Sequence, residues 1–210
     1  MPTRKRSARC ILITGTSHTG KSTLARRLSQ LLGWKVISTD QLARHPGRPW
    51  PQPRLQVAEY YTKLTPQTTF WFLKVHHENI WPQLEGMIGT VAEKGQGLIM
   101  EGCALRPEFM ARLNTPDCLR VCLHDDPAEL SARIHRASAY ETRPPDIRAC
   151  IDAFVERSLL DNEAQVEAAR AHQIQLIQTT DPEAIDLFCQ SISARVKSHP
   201  RQCRNAFSQP

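Results

Sequence analysis

The stretch Gly15-Thr16-Ser17-His18-Thr19-Gly20-Lys21-Ser22 constrains this 210-residue chain more than any other. It fits G-x-x-x-x-G-K-[ST] and joins two segments of different periodicity. Before it, Cys10-Ile-Leu-Ile-Thr14 is a short β-branched apolar run that reads as a buried strand. After it, Leu24, Leu28, Leu31 and Leu32 recur at helical spacing from Ser22 until Gly33 stops the helix. Strand, glycine loop and helix in that order allow backbone N–H groups and a helix N-terminus to converge on phosphate oxygens. Within Gly15 to Thr23, Lys21 is expected to reach the β- and γ-phosphates of a nucleotide, and the Ser22 hydroxyl to bind Mg²⁺. His18 occupies a variable position of the loop and is given no chemistry.

The alternation of strand and helix continues along the chain. Further strands are expected at Trp34–Ser38, Gly97–Glu101, Cys118–His124 and Gln173–Gln178. Thr65-Pro66 reads as an N-cap with proline at the first helical position, opening a helix to about Lys94 that Pro82 breaks or kinks. Other helices are expected from Asp126-Pro127 to Ala137, from Asp146 to Ala171 and from Pro182 to Val196. Between Arg44 and Arg54, four prolines in eleven residues exclude helix and sheet and predict a stiff loop. Together these predict an α/β fold: a three-layer α/β/α sandwich around a five-stranded parallel sheet with both faces covered. At this length one domain is expected, spanning 10–196 between a basic arm (1–9) and a basic tail (197–210), with no repeat or linker.

Charge and cysteines bound the function classes. The net charge of +6 invites a polyanion partner, but its position matters more than its size. Residues 1–9 and 195–210 hold eight of the 27 basic residues and no acid, which leaves the body at about −2. Nucleic-acid binding is therefore open only through the tails, and a solvated arm is the simpler reading. No apolar run approaches the length of a membrane span. The apolar run after Arg9 is too short for a secretory signal. The cysteines are odd in number, seven, and contain no C-x-x-C pair, so reduced thiols in a cytoplasmic protein are expected.

Other nucleotide-binding classes lack their elements here. Thr62-Lys63-Leu64-Thr65 misses the aspartate of a guanine-specific switch, no Leu-Ser-Gly-Gly-Gln stretch occurs, and the chain is short for a ring-forming ATPase. The sequence resembles the small P-loop kinases, the group of nucleoside monophosphate, shikimate and gluconate kinases. Three features beyond the loop carry the resemblance: Asp40 closing Ile37-Ser38-Thr39-Asp40, Leu98-Ile99-Met100-Glu101-Gly102 with Arg106 after it, and Arg133, Arg136 and Arg143.

The resemblance implies an ATP- and Mg²⁺-dependent phosphotransferase acting on a small acceptor. It implies that Asp40 faces the acceptor hydroxyl or Mg²⁺, that Glu101 holds a water of the metal shell, and that Arg106 binds a substrate phosphate. It also implies a mobile lid at about 133–148 bearing Arg133, Arg136 and Arg143. Arg133 and Arg136, three apart, share a helix face and can approach one triphosphate. The basic proline loop, with Arg44, Arg48 and Trp50, is expected to line the acceptor pocket and to favour phosphate or carboxylate. The aromatic residues between Thr65 and Lys94 read as packing, and His76 and His77, being adjacent, as facing different ways. Two other readings remain open: a 5′-hydroxyl polynucleotide kinase guided by the tails, and an ATP-binding regulator without transfer activity.

Overall fold

The computed structural model describes residues 9–42, 46–94, 97–115 and 118–197. Its centre is a strand with no polar side chain before its last residue. β1 (Cys10–Thr14) is buried along its whole length and pairs in parallel with β3 (Leu98–Glu101) on one side and β4 (Cys118–His124) on the other. β2 (Lys35–Ser38) and β5 (Gln175–Gln178) are the outer strands, giving the order β2-β3-β1-β4-β5, all parallel. Parallel neighbours need crossovers, and helices supply them on both faces. The expected five-stranded α/β fold is present, with strand limits moved by at most two residues.

Alternation along β1 explains the two cores. Cys10 and Leu12 point to one face, where they meet Leu98, Met100 and the helix residues Leu84 and Ile88. Ile11 and Ile13 point to the other, against Leu28 of α1 (Lys21–Leu32) and Phe188 of α7 (Pro182–Lys197). Gly33 ends α1 in the left-handed region at φ +67° and donates its N–H to Ser29 O at 2.8 Å.

Three local expectations need correction. α2 (Leu55–Lys63) follows the proline-rich loop directly, where the sequence reading has no helix. A short α4 (Pro107–Met110) was also not anticipated. α3 (Pro66–Lys94) passes through Pro82 as one element, so of the break or kink expected there the break does not occur. Packing on both sides of the proline, by Ile80 and Trp81 before it and Leu84 and Ile88 after it, offsets the lost hydrogen bond, which costs about 3 kcal/mol. The Thr65 cap is as expected: the Thr68 N–H donates to Thr65 Oγ1 at 3.1 Å.

α5 (Pro127–Ser138) and α6 (Pro145–Ala171) complete the described helices. The first half of α6 packs Ile151, Phe154 and Val155 with Tyr61, Leu130 and Ile134 in a third apolar cluster joining α2, α5 and α6. Its second half buries polar residues at four-residue spacing, Arg157, Asp161 and Gln165, with Ser158 and Asn162 beside them. Gln165 Oε1 accepts from Thr14 Oγ1 at 2.7 Å, and Gln165 Nε2 donates to Asp161 at 3.0 Å. Arg106 Nη1 donates to the other Asp161 oxygen at 3.0 Å, and Asn162 Nδ2 to Asp125 O at 3.0 Å. One helix face thereby ties together the segments that leave β1, β3 and β4.

Asp161→Ala would leave the Arg106 guanidinium buried with only Glu108 as partner. The expected loss is about 3 kcal/mol of unfolding free energy, read as a lower urea midpoint at unchanged m. A loss under about 1 kcal/mol would show that Glu108 alone satisfies the cation.

Candidate functional site

The loop between β1 and α1 takes its shape from two glycines. Gly15 has φ +139°, and a Cβ there would run into the Leu123 carbonyl and the Thr19 hydroxyl. Gly20, at φ +76°, is the cap position of α1, and no side chain caps that helix. The first-turn N–H groups therefore face the loop's concave side, as an anion site requires. Thr19 Oγ1 and Lys21 Nζ both donate to Thr16 O, at 2.9 and 2.6 Å, so the lysine lies along the loop it belongs to. Thr16 and Thr19 are buried, whereas Ser22 and Thr23 are exposed at the start of α1.

A cavity of about 670 Å³ opens from this loop. Ser17, His18, Gly20, Lys21, Ser22 and Thr23 form its loop end. Asp40 and Glu101 line the same space. Asp40 lies in a 3₁₀ turn, Thr39–Gln41, directly after β2, and Glu101, 4% exposed, ends β3. Gly102 brings the two close: at φ +150°, its missing Cβ leaves room for the Thr39 side chain. Glutamate-glycine at the end of this strand therefore has a steric reason, the approach of the turn that carries Asp40.

The arginines divide. Arg48 and Arg133 line the cavity. Arg133 is held: it pairs with Asp125 at 2.6 Å and donates to His18 O at 3.0 Å and Thr179 Oγ1 at 2.9 Å. Asp125 also accepts from the Thr179 and Thr180 hydroxyls, at 2.5 and 3.1 Å. Arg133 thus braces the phosphate loop against the ends of β4 and β5. Arg136 is exposed and does not line the cavity, so the shared face expected for the pair is not used. Arg143 Nε donates to Ser138 O at 2.7 Å, fastening the turn after α5, and Arg106 is consumed by Asp161 and Glu108. Neither lines the cavity. Arg44 lies outside the described residues, as do the basic residues of 1–8 and 198–210.

Sequence reasoning missed Arg157. It lines the cavity from α6 at 6% exposure, its guanidinium lies 4.5 Å from the Phe154 ring centroid, and its Nε has no hydrogen-bond partner. The available signal was its spacing: it stands in phase with Phe154, Asp161 and Gln165 on the inner face of a long helix. Trp50 packs on His18 and Phe154, at 5.7 and 5.0 Å, and does not face the cavity as expected. Tyr60, Tyr61, Phe72 and Ile80 do, and so do both His76 and His77. Phe72 and Ile80, read as packing, thus also line the cavity, and the adjacent His76 and His77 both border it while differing in burial.

Electrostatics follow from this placement. Burial, then the positive charges of Arg48, Lys21, Arg133 and Arg157, push His18 down to about 4. Burial is the larger cause, and the four cations beside the phosphate loop add to it. His77, 3% exposed, is pushed down to about 3, mainly by burial and against the pull of Asp161. Among the described residues no cluster of three His, Cys, Asp or Glu is arranged to hold a metal ion. No described helix is long and apolar enough to cross a membrane.

Comparison with known proteins bears on family and fold. The sequence model of a family described as an AAA domain matches residues 11–150. No curated protein matches the chain by sequence. Among solved structures, a gluconokinase from Sinorhizobium meliloti 1021 superposes with a TM-score of 0.51 at 16% identity, over 92% of this chain and 94% of that one. A candidate kinase from Chloroflexus aurantiacus superposes with 0.51 at 20% identity, over 93% and 99%. A shikimate kinase from Acinetobacter baumannii gives 0.47 at 16%, over 90% and 93%. At these identities the likeness is one of fold.

The folded protein leaves His77 unprotonated to about pH 3, whereas the unfolded chain protonates it near 6.5. Stability contributed by the neutral imidazole is full above that range and falls as pH drops through it. In paired urea titrations, His77→Gln should flatten the acid slope by about 1.4 kcal/mol per pH unit between roughly pH 6 and 4. Parallel slopes for the two proteins would refute the assignment.

Proposed function

This chain belongs to the AAA-domain family, and from that premise we propose that it is a phosphotransferase moving the γ-phosphate of ATP to a small anionic acceptor. One observation carries the reading: a single cavity joins the phosphate loop, two carboxylates and several cations. Phosphoryl transfer asks a protein chiefly for positioning and charge neutralisation, and this cavity offers both.

Lys21 leaves Thr16 O for the β- and γ-phosphates, while the loop amides and the start of α1 hold the remaining oxygens. Arg133, already braced by Asp125, supplies charge beside His18 without having to be ordered. Asp40 orients the acceptor hydroxyl and takes its proton late in the transfer. The donor set fits Mg²⁺: the Ser22 hydroxyl and the Asp40 and Glu101 carboxylates are hard oxygen ligands on one cavity, and this ion commonly takes one or two carboxylates plus substrate phosphates and water. When bound, the ion neutralises charge on the transferring group. Glu101 suits an outer role, holding a water of its shell. Arg48 meets the acceptor's anion, as expected of the proline loop, and Arg157 takes the task that the resemblance gave to Arg106.

Lys21→Ala should lower ATP turnover by roughly a hundredfold or more with the far-UV spectrum unchanged. Turnover retained at the parent level would sink the proposal. Asp40→Asn should lower kcat by roughly a hundredfold while nucleotide affinity moves less than about threefold. Equal losses in both would remove Asp40 from the acceptor side.

A further inference from the structure

Away from the phosphate loop the cavity changes character. Its wall there comes from α2 and α3: Tyr60, Tyr61, Leu64, Phe72, Leu73 and Ile80. The tyrosine hydroxyls have already placed their protons, Tyr60 donating to Thr69 O at 3.0 Å and Tyr61 to Gly47 O at 2.9 Å, and can only accept from a ligand. What these residues offer is ring surface. Tyr60 stands edge to face on Tyr61 at 5.0 Å and lies 6.4 Å from Phe72, whose side of the cluster is left 45% exposed. The polar groups facing this region are cationic or imidazole: Arg157 and Arg48, His76 and His77. Arg157 Nε and His77 Nδ1 are buried without hydrogen-bond partners.

This combination discriminates between acceptor chemistries. A polyhydroxylated acid would bring several hydroxyls against aromatic rings, and more of them would lose water than the few polar groups here can pair. A planar unsaturated ring gains contact area and favourable ring geometry on the same wall. A carboxylate or phosphate attached to that ring pairs with the Arg157 guanidinium.

We propose that the acceptor carries its anion on a planar unsaturated ring system, an aryl group or a nucleobase, held by Tyr60 and Phe72 with Arg157 on the anion. This rests on the phosphotransferase reading and narrows it. In the transfer, an acceptor oxygen forms a bond to the γ-phosphorus as the bond from that phosphorus to the bridging oxygen of ADP breaks. The electron pair leaves with ADP. A hydroxyl acceptor gives its proton to Asp40, and a phosphate acceptor brings none.

Calorimetric binding to the full chain loaded with a non-hydrolysable ATP analogue tests the wall, and transfer from γ-labelled ATP tests the chemistry. The probes are adenosine monophosphate, hydroxymethylbenzoate and gluconate: two ring-borne anions from different sources, and one anion on a polyol. At least one ring probe should bind and accept phosphate, with gluconate about tenfold weaker or worse. Phe72→Ala should weaken ring-probe binding about tenfold with analogue affinity unchanged, and Phe72→Tyr should restore it. Gluconate binding as tightly as the ring probes, neither ring probe binding, or indifference to Phe72→Ala each overturns the proposal. Transfer to gluconate alone overturns it while leaving a phosphotransferase. Ring probes that bind through Phe72 but accept no phosphate support the wall assignment and overturn the transfer reading.

Discussion

The buried pair of Arg106 and Asp161 is the interaction around which the site end of the molecule is organised. Both groups are nearly inaccessible to water, so Asp161 depends on Arg106, and Arg106 on Asp161 together with Glu108. Burial alone would push Asp161 up, but Arg106, with His77 and Arg157 also near, holds it below the ordinary carboxylate range. An ionised Asp161 also receives Gln165, which receives Thr14 at the end of the central strand. Asn162, one residue on, fixes the backbone of Asp125, and Asp125 fixes Arg133. The geometry of the phosphate loop is therefore set from beneath, by a helix more than a hundred residues away in sequence.

The basic residues of the body are few in function and unequal in state. Arg106 and Arg133 are saturated by carboxylates, whereas Lys21 rests on a single carbonyl and Arg157 on the face of a ring. Saturated cations give shape, and Arg133, which also borders the cavity, adds its charge from a fixed place. Those without a carboxylate give affinity for an incoming anion, because their desolvation has already been met during folding. The chain's net +6 says nothing of this difference, and the tails that produce it lie mostly beyond the described residues.

The sequence disclosed the parts of this architecture that depend on neighbours in the chain. The phosphate loop, the five strands, the Thr65 cap and the Gly33 stop are local patterns of glycine, β-branching and helical period, and each stands where it was expected. Asp40 and Glu101 were legible because one follows and the other ends strands that the topology lays side by side. Arginine was legible only as a residue type: whether Arg106 or Arg157 faces the cavity depends on which one Asp161 neutralises, a tertiary choice with no local signature. α2 differs: it spaces Val57, Ala58, Tyr60 and Tyr61 as a helix would, but nine residues are too few to hold a helix without the cluster formed with α5 and α6.

Pro82 acquires a meaning from where it stands in α3. It has no N–H to offer, so the carbonyl one turn before it, that of Glu78, lacks its helical donor. The gap falls between two stretches with different duties: Phe72 to Ile80 forms the cavity wall, and Leu84 to Ile88 is locked into the sheet. With one rung missing at the join, the two stretches are held in line by packing, Ile80 and Trp81 before the proline and Leu84 and Ile88 after it, so one half of the helix reaches the ligand side through contacts that belong to the core.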